Sequence, residues 1–166
     1  NLFFKLPTLL ADLTILWVLL RLFPQRFREV TLYYFASPII LYASYMHSQL
    51  DLLPMAMLTL SIYCLTLERV FVSALFLGLA MSIKLHVVAA LPLMLVYQFR
   101  NGRKTSLASL ALIPAALYLA ISAPFLLSEG YGAMVLRNPK QMKLFDAAFA
   151  IGDVKVYLPV FTVFAL

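Results

Sequence analysis

Successive apolar segments, separated by short polar breaks, constrain this chain more than any other feature of its sequence. Of its 166 residues, 64% are apolar and 12% are charged, whereas a soluble domain carries about 45–50% apolar and about 25% charged residues. A chain of this composition lacks the polar surface that a water-exposed fold needs. It therefore excludes a soluble enzyme, a nucleic-acid-binding domain and a disordered tail, and it favours a lipid bilayer as the solvent.

The apolar segments predict membrane-spanning helices. None of them alternates with period two along its length, so helices are expected. The predicted fold class is all-α, a polytopic transmembrane helical bundle with several short or broken helices around an outward-facing cavity. The predicted spans are residues 6–23, 30–45, 52–67, 70–83, 87–99 and 106–127, a truncated span from about 156, and an outer loop at 128–155. Because both ends fall in apolar sequence, we interpret residues 1–166 as a single fragment of a larger transmembrane domain.

The positions of the basic residues predict the topology. The net charge is +6, and these spans place the tightest basic clusters on one side of the membrane. By the positive-inside rule that side is cytoplasmic. The alternative of a single span over 70–99 would put Arg69 and the cluster at 100–104 on opposite faces, so two spans are favoured. The clustered cytoplasmic residues are Arg21, Arg26, Arg28, Arg69, Arg100, Arg103 and Lys104.

Several of the predicted spans are too short to cross a bilayer. At about 1.5 Å per residue, spans 70–83 and 87–99 reach only roughly 20 Å, against a hydrocarbon thickness of about 30 Å. We therefore expect the break at 84–86, and the similar break at 47–51, to be recessed below the outer surface. Irregular backbone at membrane depth is tolerated only where it is buried in protein or lines a wet cavity. Two recessed breaks on one side predict a shared outer cavity.

Asp12 is an acidic residue inside the first predicted span. A carboxylate within a span costs about 2.5–3.5 kcal/mol on insertion scales, so a functional role is the default expectation. It follows Lys5 by seven residues, which places both side chains on nearly one helical face. The alternative is a structural aspartate paired with Lys5, with Lys84 or with a helix end.

The two outer breaks carry the other candidate site residues. His47, Gln49 and Asp51 offer an imidazole, an amide and a carboxylate that can hold sugar hydroxyls, orient a phosphate or take a proton. An ordinary polar loop is the alternative. In the second break, Lys84 suits a phosphate contact and lies beside His86, with snorkelling to the interface as the alternative.

Other signals predict no further chemistry. No cluster of Cys and His has the spacing of metal ligands, no glycine pattern for phosphates or dinucleotides occurs, and no metal site is predicted. The aromatic run at 33–35 is interpreted as interfacial anchoring.

The order of several short motifs resembles the polytopic glycosyltransferases of the GT-C class. Bacterial members are similar in a progression from Lys-x-Pro through Ala-Asp-Leu to Gln-x-Asp. The endoplasmic reticulum (ER) glucosyltransferases that extend lipid-linked oligosaccharides carry a box similar to His-x-Gln-x-Asp, and the GPI mannosyltransferases are similar in layout. The resemblance covers about residues 5–99. It rests on Lys5-Leu6-Pro7, Ala11-Asp12-Leu13, Ser37-Pro38, His47-x-Gln49-x-Asp51, and Ile83-Lys84 followed by Leu91-Pro92.

This resemblance implies transfer of a hexose, such as mannose or glucose, from a polyprenyl-phosphate donor on the extracytoplasmic face. The acceptor would be a lipid or a glycan. In the family, the acidic residue that acts as the catalytic base usually lies in the first outer loop. That loop would precede Asn1, so no residue here is assigned as the base. The expected substrate-binding residues are Lys5, Asp12, His47, Gln49, Asp51, Lys84 and His86.

The remaining expectations concern cofactors, partners and location. No cofactor is identified beyond the lipid-phosphate sugar as donor substrate, and a metal requirement is left open. The expected partners are membrane lipid, the polyprenyl-phosphate sugar and a lipid-linked or glycan acceptor, with no nucleic acid. The expected location is an integral, multi-pass membrane position, with a bacterial plasma membrane favoured over the ER membrane.

Two other classes of protein remain open from the sequence. In a secondary transporter, Asp12, Lys84 and His86 would relay protons across the membrane. In a non-catalytic membrane subunit, the same polar residues would only lock helices together.

Cysteine accessibility tests the predicted topology. A single cysteine introduced at position 102, in a protein without Cys64, should be labelled by a membrane-impermeant maleimide only from the cytoplasmic side. The physical reason is that the surrounding arginines are retained on that side. Labelling from the outside alone would reverse the topology and remove the basis for the outer cavity.

Overall fold

A computed structural model describes residues 2–46, 51–126, 128–133, 148–151 and 154–157. The chain forms two compact units, Asn1–Ile121 and Ser122–Leu166. The predicted helical fold is confirmed, because the first unit consists of helices joined by short turns.

The helices of the first unit follow one another closely along the chain. Five are longer than ten residues, whereas the second and third helices have four and three residues. The α-helices are α1 (Leu2–Leu22), α2 (Phe27–Val30), α3 (Pro38–Ile40), α4 (Leu52–Thr66), α5 (Val70–Ile83), α6 (Ala90–Arg100) and α7 (Leu107–Ser122). Short 3-10 turns lie at Pro24–Arg26, Leu85–Ala89 and Lys104–Ser106, and π-helical stretches at Thr31–Phe35 and Leu41–Met46.

Two prolines interrupt the helical path after α1. Phe23, which precedes Pro24, has φ −127° and ψ 61°, and Ser37, which precedes Pro38, is extended at φ −65° and ψ 120°. A residue before proline is pushed away from helical angles by contact with the proline ring. At the first of these breaks, the helical path bends by 113° between Lys5–Leu22 and Pro24–Ile40.

Helix α4 lies at the centre of the first unit, because it packs against both α1 and α5. Towards α1, the small and branched side chains of α4 and α1 form one apolar cluster of Ala11, Ile15, Leu52 and Ala56. A larger cluster joins α4 to α5, α6 and α7. Its buried members are Leu65, Ala74, Leu77, Ala80, Met81, Val87, Met94 and Leu110.

A buried polar contact and a close backbone approach hold α5 in place. The Ser61 hydroxyl of α4 donates to the Ser73 carbonyl of α5 at 2.7 Å, and the two hydroxyl oxygens are 3.1 Å apart. On α5, a Cβ built on Gly78 would lie 3.0 Å from the Cα of Pro114 and 3.0 Å from Cδ2 of Leu117. Small residues and serines at such positions are typical of helices packed within a membrane.

An ion pair joins the turn between α4 and α5 to the turn between α6 and α7. Glu68, in the turn between these helices, has a left-handed φ of 66°. Its carboxylate pairs with the guanidinium of Arg103, in the turn between α6 and α7. In the same region Gln98 is fully buried, and neither polar atom of its amide has a hydrogen-bond partner within the described part of the chain.

The second unit contains a short helix and a hairpin that the sequence does not predict. Helix α8 covers Glu129–Tyr131, and strand β1 (Ala148–Ile151) pairs antiparallel with β2 (Val154–Tyr157). The sequence predicts an outer loop up to residue 155 and a helix from about Val156. Instead, Val156 and Tyr157 belong to β2, while residues 158–166 lie outside the described residues. The strands are rich in β-branched and aromatic residues, which favour strands over helix.

Within the described residues, one helix is long and apolar enough to cross a membrane. It covers Leu107–Phe125, and the bent pair Lys5–Leu22 with Pro24–Ile40 passes the same test as a pair. Three shorter apolar helices lie at Leu52–Thr66, Val70–Ile83 and Leu85–Arg100. Which of the predicted spans cross the membrane, and whether residues 70–99 form two spans divided near residue 84, stays a prediction.

The close approach at Gly78 gives a prediction about stability. Gly78→Val should lower the free energy of unfolding by about 1–3 kcal/mol, because the added methyl groups overlap the backbone of α7 at Pro114. Unfolding in detergent measures this loss, with Leu79→Val at the neighbouring exposed position as the control. Equal stability of the two variants would contradict the tight α5–α7 contact.

Candidate functional site

The two outer breaks predicted from the sequence meet in the structure through Asp51 and Lys84. Asp51 lies immediately before α4, and Lys84 follows α5 in an extended conformation with φ −145° and ψ 113°. Their carboxylate and ammonium groups form an ion pair. The side chains remain 54% and 36% exposed, so both groups are accessible to a polar ligand. His86, in the 3-10 turn after Lys84, is also exposed.

Asp12 is held by tyrosines rather than by a basic residue. It lies in the middle of α1 and is 3% exposed. The Tyr34 hydroxyl donates to Oδ1 at 2.7 Å, and the Tyr45 hydroxyl donates to Oδ2 at 2.8 Å. The structural alternative considered from the sequence paired Asp12 with a lysine or a helix end. The observed partners differ because the second helical segment turns its tyrosines onto the buried face of α1.

Lys5 contacts the same group of residues through the backbone of Tyr45. Its ammonium donates to the backbone carbonyl of Tyr45 at 2.8 Å. Lys5 and Asp12 thus lie on one face of α1, as their spacing predicts, and both contact Tyr45. Since an ammonium has three donors, Lys5 retains the capacity for a further contact.

Two of the predicted site residues, His47 and Gln49, lie outside the described residues. The described residues on either side are Met46, which ends the second π-helical stretch, and Asp51, which precedes α4. Of the predicted substrate-binding set, the structure therefore brings together Lys5 with Asp12, and Asp51 with Lys84.

Tyr34 and Tyr45 are the site residues that the sequence does not identify. The sequence assigned residues 33–35 to interfacial anchoring. That interpretation is wrong for Tyr34, which is half-buried and bonded to Asp12, whereas Tyr33 is 81% exposed. The available signal was spacing, because Tyr34 and Tyr45 are eleven residues apart, close to three turns of about 3.6 residues each.

The ends of helices assigned to one side by charge are neighbours in the structure. Asp51 pairs with Lys84 among the predicted outer ends, and Glu68 pairs with Arg103 among the predicted cytoplasmic ends. Within the described ranges, no group of three His, Cys, Asp or Glu side chains could hold a metal ion.

The described grooves are mostly apolar, and none of the predicted substrate-binding residues lines them. One of about 320 Å³ is lined by residues between Leu19 and Tyr34. Another, of about 220 Å³, lies between α4 and α6, and a third, of about 370 Å³, lies between α6 and α7. The outward-facing cavity therefore stays a prediction.

The described residues thus form a helical unit with paired polar groups at its helix ends. The family model described as ALG3 protein matches residues 15–162. The chain belongs to the ALG3 protein family. No curated protein and no solved structure matches the chain. The match begins after the first two motifs of the sequence resemblance, at residue 15, and extends past residue 99 into the second unit.

Family membership decides several of the expectations. It bears out the suspected family resemblance and supports a membrane glycosyltransferase over a transporter or a non-catalytic subunit. It does not support the preference for a bacterial plasma membrane, because the ALG3 family is typically found in the ER membrane.

The exposed ion pair gives a prediction that separates a structural role from a functional one. Asp51→Asn should change the free energy of unfolding by less than about 1 kcal/mol, because an exposed pair contributes little. Glu29→Gln, which removes the exposed Arg26–Glu29 pair of 3.7 Å, is the matched control. Unfolding in detergent measures both variants. A loss of several kcal/mol for Asp51→Asn alone would identify the pair as a structural lock.

Proposed function

We propose that the protein transfers mannose from a polyprenyl-phosphate donor to a lipid-linked oligosaccharide on the extracytoplasmic face of the membrane. In an ER membrane, the typical location of the family, that face is lumenal. The observation that carries the proposal is the accessible Asp51–Lys84 pair, which unites two of the motifs that resemble GT-C enzymes.

Lys84 is suited to stabilise the leaving group. In the transfer, an acceptor hydroxyl loses its proton to a base and attacks C1 of mannose. The bond between C1 and the phosphate oxygen breaks, and the polyprenyl phosphate departs with the bonding electron pair. A cation aimed at that oxygen stabilises the charge that develops there. Lys84 carries such a cation at the end of α5, partly exposed.

Asp51 is suited to hold hydroxyl groups of the sugar. Its carboxylate pairs with Lys84, and a donor phosphate would compete with it for the same ammonium. Once the phosphate binds Lys84, the Asp51 carboxylate can accept hydrogen bonds from sugar hydroxyls. His47, Gln49 and His86 are proposed to contact the sugar or the phosphate, and the base remains unassigned.

A transfer assay tests this function. The intact protein, purified in detergent, should transfer radiolabelled mannose from polyprenyl-phosphate mannose to a lipid-linked oligosaccharide acceptor. Polyprenyl-phosphate glucose serves as the comparison donor. Transfer of glucose alone would overturn the sugar assignment, and transfer from neither donor would overturn the proposed function.

Substitution of Lys84 tests its role. Lys84→Ala should lower kcat by on the order of 10²-fold, the usual cost of removing one preorganised charge-stabilising group. Lys84→Arg should retain part of the activity because it keeps the positive charge. Arg100→Ala, which removes an exposed cation from the predicted cytoplasmic side, is the control. A normal rate for Lys84→Ala at limiting donor would assign the lysine to snorkelling instead.

A further inference from the structure

Asp12 connects α1 to a segment that is irregular along most of its length. Residues 27–46 contain the short helices α2 and α3, the break at Ser37–Pro38 and two π-helical stretches. Tyr34 lies in the first π-helical stretch and Tyr45 in the second, one on each side of the break. We call Asp12, Tyr34 and Tyr45 the tyrosine clamp.

The irregular segment needs contacts from outside itself. π-Helical turns are rare and occur mostly as single turns at functional sites, and helices as short as α2 and α3 are unstable alone. The tyrosine clamp supplies two hydrogen bonds, 2.7 and 2.8 Å long, to a carboxylate that is almost completely buried. Such charge-assisted bonds are stronger than neutral ones.

Both ends of the stretch that follows are attached to α1. At one end, Tyr45 is held twice, through its hydroxyl by Asp12 and through its carbonyl by Lys5. At the other end, Leu52 at the start of α4 packs with Ala11 and Ile15 of α1. The stretch between them, residues 46–51, contains three of the proposed substrate-binding residues. A shift of Tyr45 relative to α1 would therefore break its contact with Lys5 and change its distance to Asp51, the next described site residue along the chain.

We propose that Asp12 is a positioning residue for sugar transfer, which acts through Tyr34 and Tyr45 and does not contact the substrate. The inference rests on the proposed function and reassigns one of the residues expected to bind substrate. Both carboxylate oxygens already accept a tyrosine hydroxyl, and little of the side chain is exposed to a ligand. Displacement of a reacting group by about 1 Å can cost 10²-fold in rate, so a loosened clamp would reduce catalysis from a distance.

A double-mutant cycle in the intact protein tests the proposal. The rate of mannose transfer is measured for Tyr45→Phe, Asp12→Ala and the double variant, each normalised to the folded fraction from size exclusion. Tyr34→Phe is measured as well. We expect each single variant to lower kcat/KM by about tenfold or more, and the double variant to be no worse than Asp12→Ala within about twofold, because all three remove the same interaction.

Two further variants sharpen the experiment. Tyr33→Phe is the matched control, since it removes the hydroxyl of the adjacent, exposed tyrosine, and it should transfer at the wild-type rate. Asp12→Asn should recover part of the activity lost in Asp12→Ala, because an amide offers one acceptor and can donate to the second tyrosine oxygen.

Each contrary outcome has a distinct meaning. Losses that add in the double variant would show that Asp12 contacts the substrate itself and would overturn the proposal. Tyr45→Phe and Tyr34→Phe proteins that transfer like Tyr33→Phe, with or without a lower melting temperature, would reduce the tyrosine clamp to a purely structural contact. Absence of transfer by the wild-type protein would overturn the proposed function, and with it the role of the clamp in transfer.

Discussion

Internal hydrogen bonding is the constraint on which the rest of this structure depends. In a chain with so little polar surface, a hydroxyl or carboxylate that leaves water must find its partner within the protein. The hydroxyls of Thr14, Thr31 and Thr59 each donate to the carbonyl four residues earlier on their own helix. Ser61 reaches across to α5, and Asp12 accepts from two tyrosines. The buried amide of Gln98 is the exception within the described part of the chain.

The same constraint places the candidate site at the ends of helices. A helix interior satisfies its own backbone, so irregular backbone and unpaired charge accumulate where helices stop. Asp51 and Lys84 lie at two such ends and pair there, and Lys5 contacts a carbonyl near the end of a third segment. Short helices therefore bring Asp51 and Lys84 together outside the apolar clusters, whereas Asp12, beside Ala11 in the middle of α1, is buried and bonded to two tyrosines. This arrangement suits the proposed donor, which combines a lipid chain with a phosphate and a sugar.

Much of the fold was predictable because the signals were local. The first predicted span ends at residue 23, where Pro24 interrupts the helix through sterics that act on the preceding residue, and the two breaks that contain Asp51 and Lys84 were expected on one side of the membrane. The break at Ser37–Pro38, which acts through the same sterics, lies inside the predicted span 30–45 and was not predicted. The tyrosine clamp was not predicted, because an aromatic residue near a helix end is usually an interfacial anchor. Only the three-dimensional bend after α1 turns Tyr34 towards Asp12. The hairpin of β1 and β2 was missed because residues 128–155 were assigned to a polar outer loop and the residues from about 156 to a helix, although both strands contain β-branched residues.

The short turn between α4 and α5 has a consequence for the order in which the chain can fold. Leu67–Arg69 joins two helices that pack directly on each other, so most of their contacts are local in sequence and cost little loop-closure entropy. In contrast, the hydrogen-bond donors to Asp12, Tyr34 and Tyr45, lie 22 and 33 residues further along the chain. During synthesis, α1 therefore emerges before the two tyrosines that donate to the Asp12 carboxylate. Until Tyr45 has been made, that carboxylate depends on water or on the membrane interface for hydrogen bonds. The contact that attaches the irregular segment to α1 is thus among the last to form, after α1 itself has been made.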